Sequence, residues 1–290
     1  MIRLAEHLQK WDPENRAYGD YRERALLNHI LVSQDPERSM YQYFICLRPG
    51  HFHVYSTPND SFWCCFGTGM ENHTKYNIGI YYYDKDSIYV TQYIPSVLKS
   101  KEFGLEMEQR TEFPKNGKIT FTIKNAPQKE LRLHFRTPSW VSGKIQAKVN
   151  QNQEEITPSE KGWSVKKVWK AGDTIELNIP MALYAEPLFG GHNELNAYFY
   201  GPTLLAGDLG EVQNHERRVY RSNQWSRPND PVAVPTLKGE NPTAIISSMN
   251  PVYGQDRTFI SQSTDGQNVM LRPFNQLFYN YYNVYWNHAK

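Results

Sequence analysis

The chain has 290 residues, a formal net charge of +2, 39% hydrophobic and 21% charged residues, and three cysteines. That composition belongs to an ordinary globular protein with room for two or three cores, and with no Lys/Arg-rich run it gives no ground for nucleic-acid binding. No apolar stretch approaches the ~20 residues that span a bilayer, no charged-then-apolar leader follows Met1, and three cysteines cannot frame a disulfide-built domain.

Ile2, Leu4, Leu8 and Trp11 recur at helical spacing and Asp12-Pro13 ends the run, so a first helix is predicted. A second runs from Tyr18 to Ser33, with Tyr21, Ala25, Leu26, Ile30 and Leu31 as its apolar stripe and Asp35-Pro36 as its stop. Both are amphipathic and too short to stand alone, so each needs a helical neighbour. Met40 to Asp60 reads as a long loop with turn signals at Pro49-Gly50 and Thr57-Pro58. It carries His51, His53, Tyr41, Tyr43 and Tyr55, and long loops in compact domains are usually functional. A short helix is predicted from Gly69 to Tyr76.

After Asn77 the pattern turns to strands. Ile78–Tyr83, Ser87–Tyr93, Glu106–Phe113, Ile119–Lys124, Leu131–Arg136, Lys144–Val149, Trp163–Trp169 and Thr174–Ile179 alternate or run apolar between turns. Their spacing predicts a β-sandwich, with a hairpin turn at Gly172-Asp173 after the strand from Trp163. Another buried strand pair follows Leu195, residues 211–250 read as a polar surface excursion, and Leu271–Trp286 returns to an aromatic strand pattern. The domains expected are 1–77, mainly helical; 78–190, a β-sandwich; and 191–290, a second β-rich domain. A helical opening on an all-β remainder is odd for a complete fold, and the chain reads as though its start is missing.

Two of the three cysteines, Cys64 and Cys65, are adjacent within Ser61-Phe62-Trp63-Cys64-Cys65-Phe66-Gly67-Thr68-Gly69-Met70-Glu71-Asn72-His73. Neighbouring cysteines rarely bridge each other, because a disulfide asks for a larger Cα separation than a trans peptide easily allows. Side by side, two thiolates can instead grip one soft metal ion such as zinc. The bland alternative is a pair of buried thiols in a core. A helix start favours negative charge, which suits thiolates there. The 20 Tyr, 13 Phe and 7 Trp serve sheet surfaces and cores first, although flat rings also suit the C–H faces of sugars.

The stretch from Phe62 to His73 resembles the signature of the β-L-arabinofuranosidase glycoside hydrolases, family 127 and its relative family 146. Asp20 to Leu31, Arg48-Pro49-Gly50-His51, Tyr55-Ser56-Thr57-Pro58, Arg136-Thr137-Pro138-Ser139-Trp140 and Val284-Tyr285-Trp286 resemble the family as well. The resemblance implies a fold of mixed α and β: the C-terminal part of an (α/α)6 barrel over residues 1–77, followed by β-sandwich domains. It implies zinc held by a glutamate, an upstream cysteine and the two adjacent cysteines, with Cys64 also the nucleophile, Cys65 a ligand and Tyr43 facing the sugar. A separate glutamate is the general acid/base, and arabinofuranoside-containing glycans are the expected partners.

The other two zinc ligands and the acid/base would lie before Met1, so the chain as it stands is expected to be inactive or nearly so. Cys46 lies where the family places no ligand, and buried filler is its expected role. His51 and His53 are expected to be structural loop histidines rather than pocket groups. Glu71, in the first turn of the predicted helix, suits a cap partner better than a replacement acid, and His73 follows it on the same helix. Two rival functions remain at this level: a non-catalytic carbohydrate-binding β-sandwich, and a structural relic of a disrupted gene.

Overall fold

The computed structural model describes residues 1–61, 63–190, 192–220 and 230–288. The chain forms two compact units, one of Met1–Ala25 with Asn77–Ala182 and the other of Leu26–Tyr76 with Leu183–Lys290. Each unit thus combines a piece of the helical opening with part of the β remainder. No described helix is long and apolar enough to cross a membrane.

The first unit opens with α1 (Ile2–Trp11) and α2 (Arg16–Ala25). Strands β1 (Tyr81–Tyr83), β2 (Ser87–Val90), β6 (Glu130–Phe135) and β9 (Trp163–Val168) form a four-stranded sheet in that order. A six-stranded sheet takes the order β3 (Ser96–Ser100), β4 (Leu105–Thr111), β5 (Lys118–Asn125), β10 (Thr174–Asn178), β7 (Ile145–Val149), β8 (Asn152–Ile156). All pairings are antiparallel except β2 with β6. The two-residue period explains the register: Ile119, Phe121 and Ile123 face one way on β5, Leu105 and Met107 on β4, and all are buried in one core with Leu131 and Leu133 of β6.

In this unit the two strands that periodicity misses, β3 and β8, are the edges of the six-stranded sheet. On β8 Asn152 to Glu155 are exposed and only Ile156 is buried, so no alternation marks it. The turn at Gly172-Asp173 is not a hairpin. β9 pairs with β6 and β10 pairs with β5 and β7, so the turn carries the chain from one sheet to the other. Trp169 drives the crossing: its ring is buried in the core and its indole N–H donates to the Leu131 carbonyl at 2.8 Å.

The helices depart further from expectation. Tyr18–Ser33 is not one α-helix, because α2 ends at Ala25 and Leu26–Ile30 is a π turn followed by the 3₁₀ turn Leu31–Ser33. On α1 the apolar residues Leu4, Leu8 and Trp11 are exposed, and Ala5 and Gln9 are the buried ones. On α2 the buried face is Gly19, Arg22 and Glu23. Charge pairing replaces the apolar stripe. Arg136, at the end of β6, donates to Glu23 at 2.5 Å, to Asp20, and from Nε to the Thr91 carbonyl at 2.7 Å. The Trp140 indole donates to the other Glu23 oxygen at 2.7 Å. Gly19 permits the approach, since a Cβ there would lie 2.5 Å from Arg136 Cδ. Burial pushes the Glu23 carboxyl above its usual range, while Arg136 and Trp140 pull against that rise.

The second unit carries α3 (Cys64–His73), a long loop before it, and α4 (Pro242–Ser248). Its sheet runs β11 (Leu183–Leu188), β12 (His192–Tyr200), β13 (Thr203–Glu211), β16 (Asn268–Pro273), β15 (Phe259–Gln262), β14 (Asn250–Pro251). β17 (Asn280–Asn283) adds to β13 and β18 (Trp286–Asn287) to β12. The expected pair after Leu195 is β12 with β13, Tyr198 opposite Leu205. Gly207 leaves room for the buried Trp286 ring, 2.3 Å from where a Cβ would stand. The stretch 211–250 is not simply a surface excursion: Val212, Tyr220, Leu237 and Ile245 are buried, and Asn241 caps α4 by accepting from Ala244 N–H at 2.9 Å. Residues 221–229 of that stretch lie outside the described residues.

Two outcomes test this architecture. Arg136→Ala leaves two carboxylates in a buried site, and a loss of about 3–5 kcal/mol in urea unfolding is expected; a near-neutral effect contradicts the clamp. His134 on β6 is 2% exposed, and burial holds its imidazole down to about 4. The unfolded chain therefore takes up a proton near pH 6.5 that the folded chain refuses until about pH 4. Stability is fully present above the unfolded value and falls as pH drops between the two, by on the order of 3 kcal/mol. His134→Gln should flatten unfolding curves in that window.

Candidate active site

Helix α3 begins at Cys64, five residues before the predicted start, so the two cysteines are its first residues and Trp63 is its N-cap. No side chain caps this end and no acidic residue occupies the first turn. The first-turn amides and the helix dipole therefore face Cys64 and Cys65 without a competing anion of the helix's own. Both thiols are exposed, and their sulfurs lie 3.9 Å apart. Phe62 of the signature lies outside the described residues.

Beneath the thiols α3 buries Phe66, which is 0% exposed, in a cluster with Tyr41, Phe52, Val54, Val212 and Tyr220. Trp63 stacks on Phe66 at 5.6 Å and 29°. Tyr43, from the long loop, meets the edges of both rings at 5.8 and 5.9 Å. Its hydroxyl hydrogen-bonds Cys65, and that bond raises the phenol above its ordinary value. The fold thus brings Tyr43, Cys64 and Cys65 together.

The remaining sequence candidates sit elsewhere. His53 is fully buried, with Nδ1 2.8 Å from Gln42 Oε1 and 3.2 Å from the Tyr282 hydroxyl. His51 is buried too, and its carbonyl accepts from Tyr282 N–H at 2.8 Å. Cys46 is buried, with its carbonyl accepting from the Tyr282 hydroxyl at 2.6 Å. These groups frame the loop against β17. Glu71 is exposed about two helical turns beyond Cys64. His73, in the last turn, hydrogen-bonds the Tyr76 hydroxyl and packs on Tyr41, and burial lowers its imidazole.

Tyr220 is the residue that sequence reasoning missed. It stands among polar residues with no periodicity around it, and only the fold reveals its ring on Trp63 at 5.5 Å.

Metal fit follows from the sulfur spacing. Bonds of ~2.3 Å in a tetrahedron set ligand sulfurs about 3.8 Å apart, and the pair stands at 3.9 Å. Two corners of a tetrahedral site therefore fit. Among the described residues, no group of three or more His, Cys, Asp or Glu side chains forms a metal set.

Comparison with known proteins first defines a glycoside hydrolase class. Residues 1–78 match the family model for the β-L-arabinofuranosidase GH127 catalytic domain and residues 87–181 that for its middle domain. The chain belongs to glycoside hydrolase family 127, the β-L-arabinofuranosidases. A non-reducing end β-L-arabinofuranosidase of Bifidobacterium longum is 25% identical over 195 residues, 62% of this chain and 29% of its own. A GH127 β-L-arabinofuranosidase from Geobacillus stearothermophilus T6 shares the fold at TM-score 0.71 and 15% identity, covering 99% of this chain and 48% of the other. A GH127 β-arabinofuranosidase gives TM-score 0.74 at 16% identity, covering 99% and 48%. The chain thus spans less than a third of the curated relative and about half of these solved structures.

Exposure makes one direct forecast. Iodoacetamide should label Cys64 and Cys65 in the native chain, with Cys46 labelled only after denaturation, as read by peptide mass spectrometry. Equal native labelling of Cys46 would contradict its burial.

Proposed function

We propose that the chain carries part of the catalytic centre of a zinc-dependent, retaining β-L-arabinofuranosidase, with Cys64 as nucleophile and Cys65 as its companion ligand. The observation that carries this is the exposed sulfur pair at 3.9 Å on the first turn of α3, within a family 127 sequence. Residues 1–77 belong, in this reading, to the end of an (α/α)6 barrel, with β-domains at 78–190 and 191–290. The catalytic-domain match over residues 1–78 supports the first boundary.

Zinc bound to the two sulfurs would keep them deprotonated and oriented near neutral pH. Cys64 Sγ attacks the anomeric carbon of a β-L-arabinofuranoside, and the leaving oxygen departs with a proton from a general acid. Water then cleaves the sulfur–carbon bond with inversion a second time, giving net retention. Tyr43, bonded to Cys65, presents its phenol beside the attacking sulfur, where it can hold a sugar hydroxyl. Glu71 stands too far along α3 to act as the acid for Cys64. Expressed by itself, the 290-residue chain is therefore proposed to bind metal at the pair and not to turn over substrate.

Zinc titration with a chelating dye as competitor tests this. One zinc ion per chain should bind, and Cys64→Ser and Cys65→Ser should each weaken it by about tenfold or more, as loss of a ligand does. Binding that neither substitution alters would overturn the assignment. An aryl β-L-arabinofuranoside should remain unhydrolysed by the chain alone, and turnover that survives Cys64→Ser would remove the nucleophile's role.

A further inference from the structure

The N-cap of α3, Trp63, makes no side-chain capping bond. Its ring is instead packed among other rings. The rings of Trp63, Phe66 and Tyr220 form a triangle, with Trp63 on Phe66 at 5.6 Å and 29° and Tyr220 at 5.5 Å and 60° to Trp63 and at 6.2 Å and 50° to Phe66. Tyr220 is itself held: it is 2% exposed, its N–H donates to the Tyr55 carbonyl at 2.8 Å, and Tyr55 N–H donates to the Arg218 carbonyl at 2.8 Å. Tyr55 is 1% exposed. Arg217 adds its guanidinium over the Phe52 ring at 5.2 Å and a 2.9 Å bond to the Tyr281 hydroxyl. The segment is therefore pinned on backbone and side chain alike.

We infer that Tyr220 is a positioning residue for the cysteine pair: its ring packs against both Trp63 and Phe66, the residues that flank Cys64 and Cys65, and so sets the first turn of α3 on which both sulfurs stand. The β-rich part of the chain thereby supplies a wall of the active site rather than an accessory layer. This rests on the pair acting together, as proposed above. Edge-to-face and tilted ring contacts of this kind prefer defined geometries, which suits them to hold a short helix start in one place.

Phenylarsine oxide is the probe, because it reports sulfur separation without any activity. Its arsenic forms two As–S bonds and loses its oxygen as water, which takes up the two thiol protons. The full chain should bind one equivalent, and both Cys64 and Cys65 should then resist iodoacetamide. Tyr220→Ala should weaken bridging by about tenfold or more, as displacement on the 1 Å scale does. Tyr220→Phe keeps the ring and should stay within about twofold. Val212→Ala removes buried bulk from the same cluster but no ring from Trp63, and it should also bridge within about twofold although it lowers stability. Where Tyr220→Ala does not fold, Tyr220→Leu supplies the ring-free variant with the same expected loss. Unchanged bridging in the ring-free variant, or an equal loss in Val212→Ala, overturns the inference. A wild-type chain that does not bridge overturns the proposed pair itself, before any Tyr220 variant is needed.

Discussion

Helices of ten residues or fewer are marginal in water, and the described α-helices of this chain are no longer than that, so each depends on something else to hold it. That constraint organises both units. In the first, α2 is held by a buried guanidinium: Arg136 reaches Asp20, Glu23 and the Thr91 carbonyl, so helix and sheet share one charged knot. In the second, α3 is held by a buried ring, Phe66, set in an aromatic cluster. The two solutions leave different surfaces. A charge knot consumes the polar groups of its helix, whereas an apolar anchor leaves the opposite face of α3 free to present two thiols.

The chemistry of the pair follows from where it sits on that helix. Adjacent helical residues point about 100° apart, so neighbouring side chains normally diverge. At the first turn both sulfurs still lean over the exposed helix end and come within 3.9 Å. Tyr43 closes one side by bonding Cys65, and the rings of Trp63 and Phe66 close the floor. A polar, reactive rim thus rests on an apolar base.

Much of this was legible in the sequence, and the failures have physical causes. Strands such as β4 and β5 announce themselves because one face is buried and the other wet, giving the two-residue period directly. The edge strand β8 pairs on one side only and faces water almost throughout, so its residues carry no pattern. Helix faces misled for the opposite reason. Arg22 and Glu23 look like solvent residues but are 4% exposed, because each charge has found partners far away in sequence. The cysteine pair was readable as a motif, since two of only three cysteines stand in adjacent positions. Tyr220 was not, because its significance lies in a contact across 157 positions, and no local spacing records such a contact.

The charged knot on α2 also bears on how the chain is made. Glu23 is synthesised 113 residues before Arg136, its partner. At 5–20 residues per second the helix waits roughly 6 to 23 s before its counter-charge exists. An apolar stripe exposed for that time would invite wrong partners. A waiting face of Gly19, Arg22 and Glu23 is instead hydrated and unattractive to other chains, and Glu23 finds its counter-charge only when Arg136 arrives. The same residues that make the interior polar thus act as a timing device, keeping the early helix quiet until the sheet that shelters it has been built.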